Sequence, residues 1–220
     1  MVITGSGGGL GPAVVDAFVQ AGATCHLPVR HAAAATQPGT KTVDGVDLSN
    51  ESSVAEFYRS RPKLWASIHL AGGYAAGKLL ETSAAELQRQ IDLNLMTAFL
   101  CSREAVKSML AANNPEGRIV NVVSRAALEP GKGALAYSTS KAALAMMTRC
   151  LAEEVSDQGI LVNAIAPSII DTPANRAAMP TADTMRWPKP NDLAEAILWL
   201  ASPENRLTSG AIVPVFGRAR

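Results

Sequence analysis

Val2-Ile3-Thr4-Gly5-Ser6-Gly7-Gly8-Gly9-Leu10-Gly11-Pro12-Ala13-Val14-Val15 runs from a short apolar stretch through a glycine-rich turn into an apolar helix. Val2–Thr4 predicts a strand, and Gly11–Ala21 predicts a helix stopped by Gly22. Glycines at such a junction let the chain turn tightly and bring helix N-terminal N–H groups against a pyrophosphate. The spacing is T-G-x-x-x-G-x-G, not G-x-G-x-x-G, and G-S-G-G-G by itself also suits a flexible linker. The strand before it and the helix after it favour a phosphate loop made by Gly5, Ser6, Gly9, Leu10 and Gly11.

The same alternation continues down the chain. Apolar runs predict strands at Thr24–Val29, Leu64–Leu70, Arg118–Ser124, Leu161–Ile165 and Ala211–Val215. Helical spacing falls between them at Asn50–Arg61, Ser83–Ala112, Leu135–Asp157 and Asp192–Ala201. Ser49 or Asn50 is an N-cap candidate, Pro62 stands just past its helix, and Gly159 is a stop. Strands joined by helices imply β-α-β crossovers, hence an α/β fold with a doubly wound, Rossmann-like parallel sheet and helices on both faces. No repeat or linker divides residues 1–220, so a single domain is expected. Ligands in such folds bind beyond the carboxyl ends of the strands.

Composition narrows the function classes. With 48% hydrophobic and 18% charged residues, the 220-residue chain reads as globular. A net charge of +1 gives no field for nucleic acid or an anionic membrane. Cys25, Cys101 and Cys150 form no C-x-x-C pair and read as small buried hydrophobes in a reducing compartment. His26, His31 and His69 lack metal-ligand spacing, so no metal is expected. No stretch of about 18 apolar residues occurs and the N-terminus lacks a signal-peptide pattern, which makes the cytoplasm the expected location.

The chemistry concentrates in Tyr137-Ser138-Thr139-Ser140-Lys141. Tyr137 and Lys141 are four apart on one helix face. A phenol titrating near 10 is a poor acid–base catalyst at neutral pH, and a neighbouring ammonium is expected to favour its ionised form. A helix-surface contact is the bland reading of the same pair. Ser124 closes a central strand, where a hydroxyl can orient a carbonyl or simply cap the next helix. About 20 residues beyond the glycines, where an acidic residue would hold a ribose hydroxyl, stand Arg30 and His31. A cation there suits a 2′-phosphate, favouring NADP over NAD, although Arg30 also fits a solvated loop charge. Asp47, before Leu48, is a candidate partner for an adenine amino group.

Together these positions resemble the short-chain dehydrogenase/reductase family over almost the whole chain. Thr4–Gly11 resembles its cofactor loop, and Ser124, Tyr137 and Lys141 match its catalytic residues in order and spacing. Asn94 in Asp92-Leu93-Asn94-Leu95 resembles its structural and proton-relay asparagine. Asn163-Ala164-Ile165-Ala166-Pro167 through Thr172 resembles the segment that holds the nicotinamide amide, with Ile170 and Thr172 as contacts. Ser209-Gly210-Ala211 with Val213 resembles the approach to its last strand. Ala71 and Gly72 are retained from the Asn-Asn-Ala-Gly pattern, whereas His69 and Leu70 replace the asparagines and put that strand's usual hydrogen bonds in doubt. Ser168 stands where glycine is usual.

The resemblance implies reversible hydride transfer between NADP or NAD and a small-molecule carbonyl or secondary alcohol, with Tyr137 as acid and base. It implies that Asn94 holds a water relaying protons to Lys141, and that the helices over Ser83–Ala112 and Leu135–Asp157 build a homodimer or homotetramer. Residues 173–189 would form a short substrate lid whose Met179, Met185 and Trp187 suggest an apolar-tolerant pocket. The alternatives are a cofactor-binding regulator with little turnover, or a lyase or isomerase on the same fold.

Overall fold

The computed structural model describes residues 1–31, 37–61, 63–111, 116–129 and 131–218. Seven strands form one sheet in the order β3-β2-β1-β4-β5-β6-β7, every neighbouring pair parallel. They are β1 (Val2–Thr4), β2 (Cys25–Pro28), β3 (Thr40–Val43), β4 (Ala66–His69), β5 (Gly117–Val122), β6 (Ile160–Pro167) and β7 (Ile212–Val215). The helices are α1 (Gly11–Gln20), α2 (Glu51–Arg59), α3 (Ala84–Ile91), α4 (Thr97–Leu110), α5 (Leu135–Glu154), α6 (Pro173–Ala178) and α7 (Pro190–Ala201). The strand order reverses between β1 and β4, which is where such sheets open a crevice for ligands.

Side chains that alternate along each strand divide the core into layers. Ile3, Ile68 and Val120 point to one face and pack with Val14, Val15 and Phe18 of α1 and Leu193, Ile197 and Leu200 of α7. Val2, Ile119 and Val162 point to the other and pack with Phe57 and Tyr58 of α2 and Leu100, Cys101 and Met109 of α4. Strands buried on both faces explain why the sequence shows apolar runs rather than alternation.

Asn50 proves to be the N-cap of α2, its side chain accepting from the Ser53 amide at 2.9 Å. Pro62 and Ala112, read as a helix stop and a helix end, lie outside the described residues. One strand was not foreseen and two expectations need correction. Thr40–Val43, a polar run at the sheet edge, pairs with β2 and had no apolar signature. The helix expected over Ser83–Ala112 is broken by a π-helical turn at Asp92–Met96 between α3 and α4. Thr97 Oγ1 donates to the Leu93 carbonyl there at 2.8 Å, satisfying an acceptor that the widened turn frees. Cys25 and Cys101 are buried but Cys150 is exposed on α5, and α4 and α5 leave Phe99 and Met146 exposed as well.

His69 does not leave its strand without partners. Its Nδ1 lies 2.8 Å from Asn121 Oδ1 on β5, and its Nε2 lies 2.9 Å from Ser67 Oγ, which reaches Tyr58 Oη at 2.7 Å. Asn121 Nδ2 continues the chain of bonds to Thr148 Oγ1 on α5 at 3.0 Å. Burial holds the His69 imidazole well below its ordinary 6.5, to about 4. Between 6.5 and 4 the unfolded chain binds the proton first, so this contribution is present above 6.5 and is lost as pH falls through that window. In His69→Asn, the unfolding free energy relative to wild type is expected to recover by about 3 kcal/mol between about pH 7 and pH 4. Denaturant titrations of both proteins at the two pH values measure this, and a gap that stays constant would contradict it.

Candidate active site

Sheet register gathers the chemistry at one edge. Thr4 pairs with His69, His69 with Asn121 and Asn121 with Ala164, so β1, β4, β5 and β6 end side by side. The residues that follow them are Gly5, Ala71-Gly72, Ser124 and the segment after Pro167. Thr4 Oγ1 accepts from the Ala71 amide at 3.4 Å, joining the first two of these turns.

The turn after β1 has no room for larger residues. Gly5 adopts φ +69°, and a Cβ there would lie 2.6 Å from the Ala71 nitrogen. A Cβ on Gly11 would meet the Ser6 carbonyl oxygen at 2.0 Å, and one on Gly9 the Thr172 methyl at 2.9 Å. The turn closes on itself through Gly8 N to Gly5 O and Gly11 N to Gly8 O, both 3.0 Å. It delivers the chain into α1, whose first turn has no acidic residue and whose cap, Leu10, offers no side-chain acceptor. Pro12 has no N–H and the Gly11 and Val14 amides are bonded to the Gly8 and Leu10 carbonyls, so an anion here would meet the Ala13 amide and the positive end of the helix rather than a full set of first-turn amides. Such a cradle fits the pyrophosphate of a dinucleotide.

Arg30 and Asp47 are brought together: Nη2 of Arg30 lies 3.2 Å from Asp47 Oδ1, with the two side chains 62% and 46% exposed. Asp47 also accepts from the Ser49 amide and hydroxyl at 3.0 and 2.7 Å, and these bonds hold its carboxyl below the ordinary range. The two candidate adenosine contacts are thus partners of each other. Leu48 packs against the core beside Val46.

Tyr137 and Lys141 lie in the first two turns of α5, and Ser124 precedes a short 3-10 turn at Arg125–Ala127. Ser124 caps the turn that follows, accepting from the Ala126 amide at 3.2 Å, and it acts on the Tyr137 phenol in the direction that favours ionisation. The phenol's ionisation departs from expectation. Burial pushes it above 10, partly offset by the Ser124 bond, with Tyr74 adding a smaller upward push. The Lys141 ammonium is instead aimed at the strand, donating to the Val122 carbonyl at 2.8 Å. Only 6% exposed, it is lowered by burial to about 8. The expected depression of Tyr137 by Lys141 is absent: the ammonium is turned to the Val122 carbonyl, and desolvation sets the direction of the phenol's shift.

Asn94 sits on the π-helical turn and is fully buried. Its Oδ1 accepts from the Gly73 amide at 3.0 Å, while Nδ2 faces the Gly73 carbonyl, Gln90 Oε1 and Ser140 Oγ at 2.9, 3.2 and 3.1 Å. These bonds make the carboxamide a clamp that holds Gly73 against α5. A Cβ on Gly72 would lie 2.6 Å from Asn94 Oδ1 and 3.2 Å from Lys141 Nζ, so only glycine passes between them.

Beyond β6, Ser168 is accommodated by donating to the Phe216 carbonyl at 2.9 Å. Thr172 caps α6 through the Asn175 amide at 3.2 Å, and the Ile170 carbonyl accepts from Asn175 Nδ2 at 2.8 Å. Ser209 Oγ accepts from the Val162 amide at 3.1 Å, and Val213 pairs with Ile165, seating β7. In residues 173–189 Trp187 is buried packing and Met179 half-buried, whereas Met185 is 83% exposed. Sequence reasoning missed Gly73, Ser140 and Tyr74. The signal for Tyr74 was a lone aromatic in the small-residue run Ala71-Gly72-Gly73-Tyr74-Ala75-Ala76-Gly77.

The family model for short chain dehydrogenase matches residues 1–183. The galactitol 2-dehydrogenase of Rhizobium johnstonii is 33% identical, over 97% of this chain and 92% of that protein. The cyclic-di-GMP-binding biofilm dispersal mediator of Escherichia coli is 30% identical, over 99% and 95%. Among solved structures, the 3-ketoacyl-(acyl-carrier-protein) reductase from Brucella melitensis, complexed with NADH, superposes with a TM-score of 0.87 at 25% identity, covering 100% of this chain and 97% of that one. The chain belongs to the short-chain dehydrogenase/reductase family of oxidoreductases. Among the described residues no helix is long and apolar enough to cross a membrane.

Proposed function

We propose that this protein is an NADP-preferring oxidoreductase that interconverts a small-molecule carbonyl and its secondary alcohol. The observation that carries this reading is the convergence of Ser124, Tyr137 and buried Lys141 at the strand ends that also carry the glycine cradle. The Rhizobium and Brucella relatives, named for a dehydrogenase and a reductase, support the reaction class.

Gly5, Ser6, Gly9, Leu10 and Gly11 would hold the pyrophosphate, and Ala71-Gly72 the adjoining ribose. Arg30, Asp47 and Leu48 would surround the adenosine, while Pro167, Ile170 and Thr172 would face the nicotinamide. When bound, the dinucleotide supplies or accepts the hydride. In the direction of reduction, Tyr137 gives its phenolic proton to the substrate oxygen as the carbonyl carbon becomes a carbinol. Ser124 donates to the same oxygen and fixes its position. A phenol held above its ordinary range stays protonated at neutral pH, which suits an acid. Lys141, held among Gly72, Asn94 and the Val122 carbonyl, keeps a cation near the site. Residues 173–189 would cover it.

A regulator that binds a dinucleotide without useful turnover is the second reading, favoured by the likeness to the Escherichia coli mediator. Fluorescence titration with NADPH and NADH, on wild type and on Arg30→Ala, tests the cofactor half of the proposal. Tight NADPH binding is expected, weakened about tenfold or more in the variant with NADH binding little changed, the scale of one charge-assisted hydrogen bond. Stronger NADH binding would overturn the preference, and binding of neither would overturn the oxidoreductase assignment.

A further inference from the structure

The short loop after β4 carries an aromatic ring to the phenol that the proposed reaction uses. Tyr74 follows Gly73 and lies edge-on to Tyr137, with ring centroids 5.0 Å apart and planes at 76°. Tyr137 is half-buried, whereas Tyr74 remains 64% exposed. An aromatic ring this open, immediately beside a reacting group, leaves most of its surface for something else to cover.

The loop that presents Tyr74 is fixed at both ends. On one side the Asn94 carboxamide grips Gly73 through both its backbone N–H and its carbonyl, at 3.0 and 2.9 Å. On the other, Gly77 forms a parallel bridge with Ala134, just before α5. Its amide donates to the Gly133 carbonyl at 2.8 Å, and its carbonyl accepts from the Leu135 amide at 3.2 Å. A Cβ on Gly77 would lie 2.8 Å from Thr82 Oγ1, so the bridge is closed to larger residues. Tyr74 and Tyr137 therefore hang from one frame, since the strand of loop bearing the first is bonded to the start of the helix bearing the second. A ring held this way presents its surface without being ordered first, which is the condition for selecting a substrate by shape.

We infer that Tyr74 is a specificity-determining residue: its exposed ring walls the substrate side of Tyr137 and selects carbonyl compounds bearing a flat apolar group, such as an aryl ring, on the carbon that reacts. The inference rests on the proposed role of Tyr137. A ring wall favours a flat group through area buried and through aromatic contact, whereas a flexible chain must lose rotamer freedom to lie against it.

The test uses acetophenone and 2-octanone, which have equal carbon number, with NADPH and the full chain. Steady-state kinetics are run on wild type, Tyr74→Ala, Tyr74→Phe and Tyr137→Phe. Wild type is expected to favour acetophenone in kcat/KM. Tyr74→Ala is expected to lower the acetophenone-to-octanone ratio by about tenfold, mainly through KM, while Tyr74→Phe restores it because the ring is kept. An unchanged ratio in Tyr74→Ala, a wild type that prefers octanone, or a wild type that reduces neither ketone would overturn the inference. Tyr137→Phe separates the two levels: its retained turnover would overturn the parent reading, whereas its inactivity together with an unchanged Tyr74→Ala ratio overturns this inference alone.

Discussion

Tyr137→Phe is expected to bind NADPH within about threefold of wild type and to lose turnover by about 100- to 10,000-fold, the range that a positioned general acid supplies. The substitution removes one oxygen and leaves the ring that packs against Tyr74. It takes away the proton that the forming alcohol oxygen receives while leaving Ser124 and Lys141 in place. Ser124 cannot replace it, because a serine hydroxyl can orient a substrate oxygen but is far too weak an acid to supply the proton at neutral pH. Titration of the cofactor alongside single-turnover kinetics separates the two effects. Comparable loss of binding would mean that the phenol holds the dinucleotide rather than the reacting carbonyl.

The second large effect is expected at the glycine cradle. Gly11→Ala places a Cβ 2.0 Å from the Ser6 oxygen and 2.4 Å from its carbonyl carbon. Backbone, unlike a side-chain tip, cannot swing aside. The turn must open, carrying Ser6 away from α1 and breaking the Gly11 N to Gly8 O bond. A distortion costing about 3 kcal/mol corresponds to about a 100-fold loss of NADPH affinity. A thermal melt accompanies the titration, since the same strain is expected to lower Tm. A variant that melts like wild type and binds within about threefold would show that this turn does not hold the cofactor.

Much of the site was legible in the sequence because its parts are local. The glycine turn and Tyr137 with Lys141 each announce themselves within a few residues, whereas the Thr172 region was read only through the family resemblance. Sheet register then does what spacing along the chain cannot, setting Thr4, His69 and Asn121 in one row. What escaped depends on contacts between distant segments or on burial. The polar edge strand Thr40–Val43 has no apolar signature, and its place is fixed only by pairing with β2. The π-helical turn at Asp92–Met96 keeps helical periodicity on either side and so reads as one helix. His69 looked like a lost hydrogen-bonding residue, yet an imidazole reaches Asn121 and Ser67 at once. Two electrostatic findings also lay beyond spacing along the chain. Arg30 and Asp47 pair because the ends of β2 and β3 adjoin, and Tyr137 rises rather than falls because its burial penalises the phenolate.

On the proposed function, the chain moves a hydride to a carbonyl carbon while Tyr137 supplies the proton. The most direct measurement is deuterium transfer from nicotinamide labelled at both C4 positions, with acetophenone and 2-octanone as acceptors and the products read by mass spectrometry. A single deuterium is expected on the carbinol carbon of the alcohol made by wild type, with that labelled product lost in Tyr137→Phe despite bound cofactor. Labelled alcohol formed by Tyr137→Phe at the wild-type rate, or cofactor bound by wild type with no label transferred to either ketone, would contradict it.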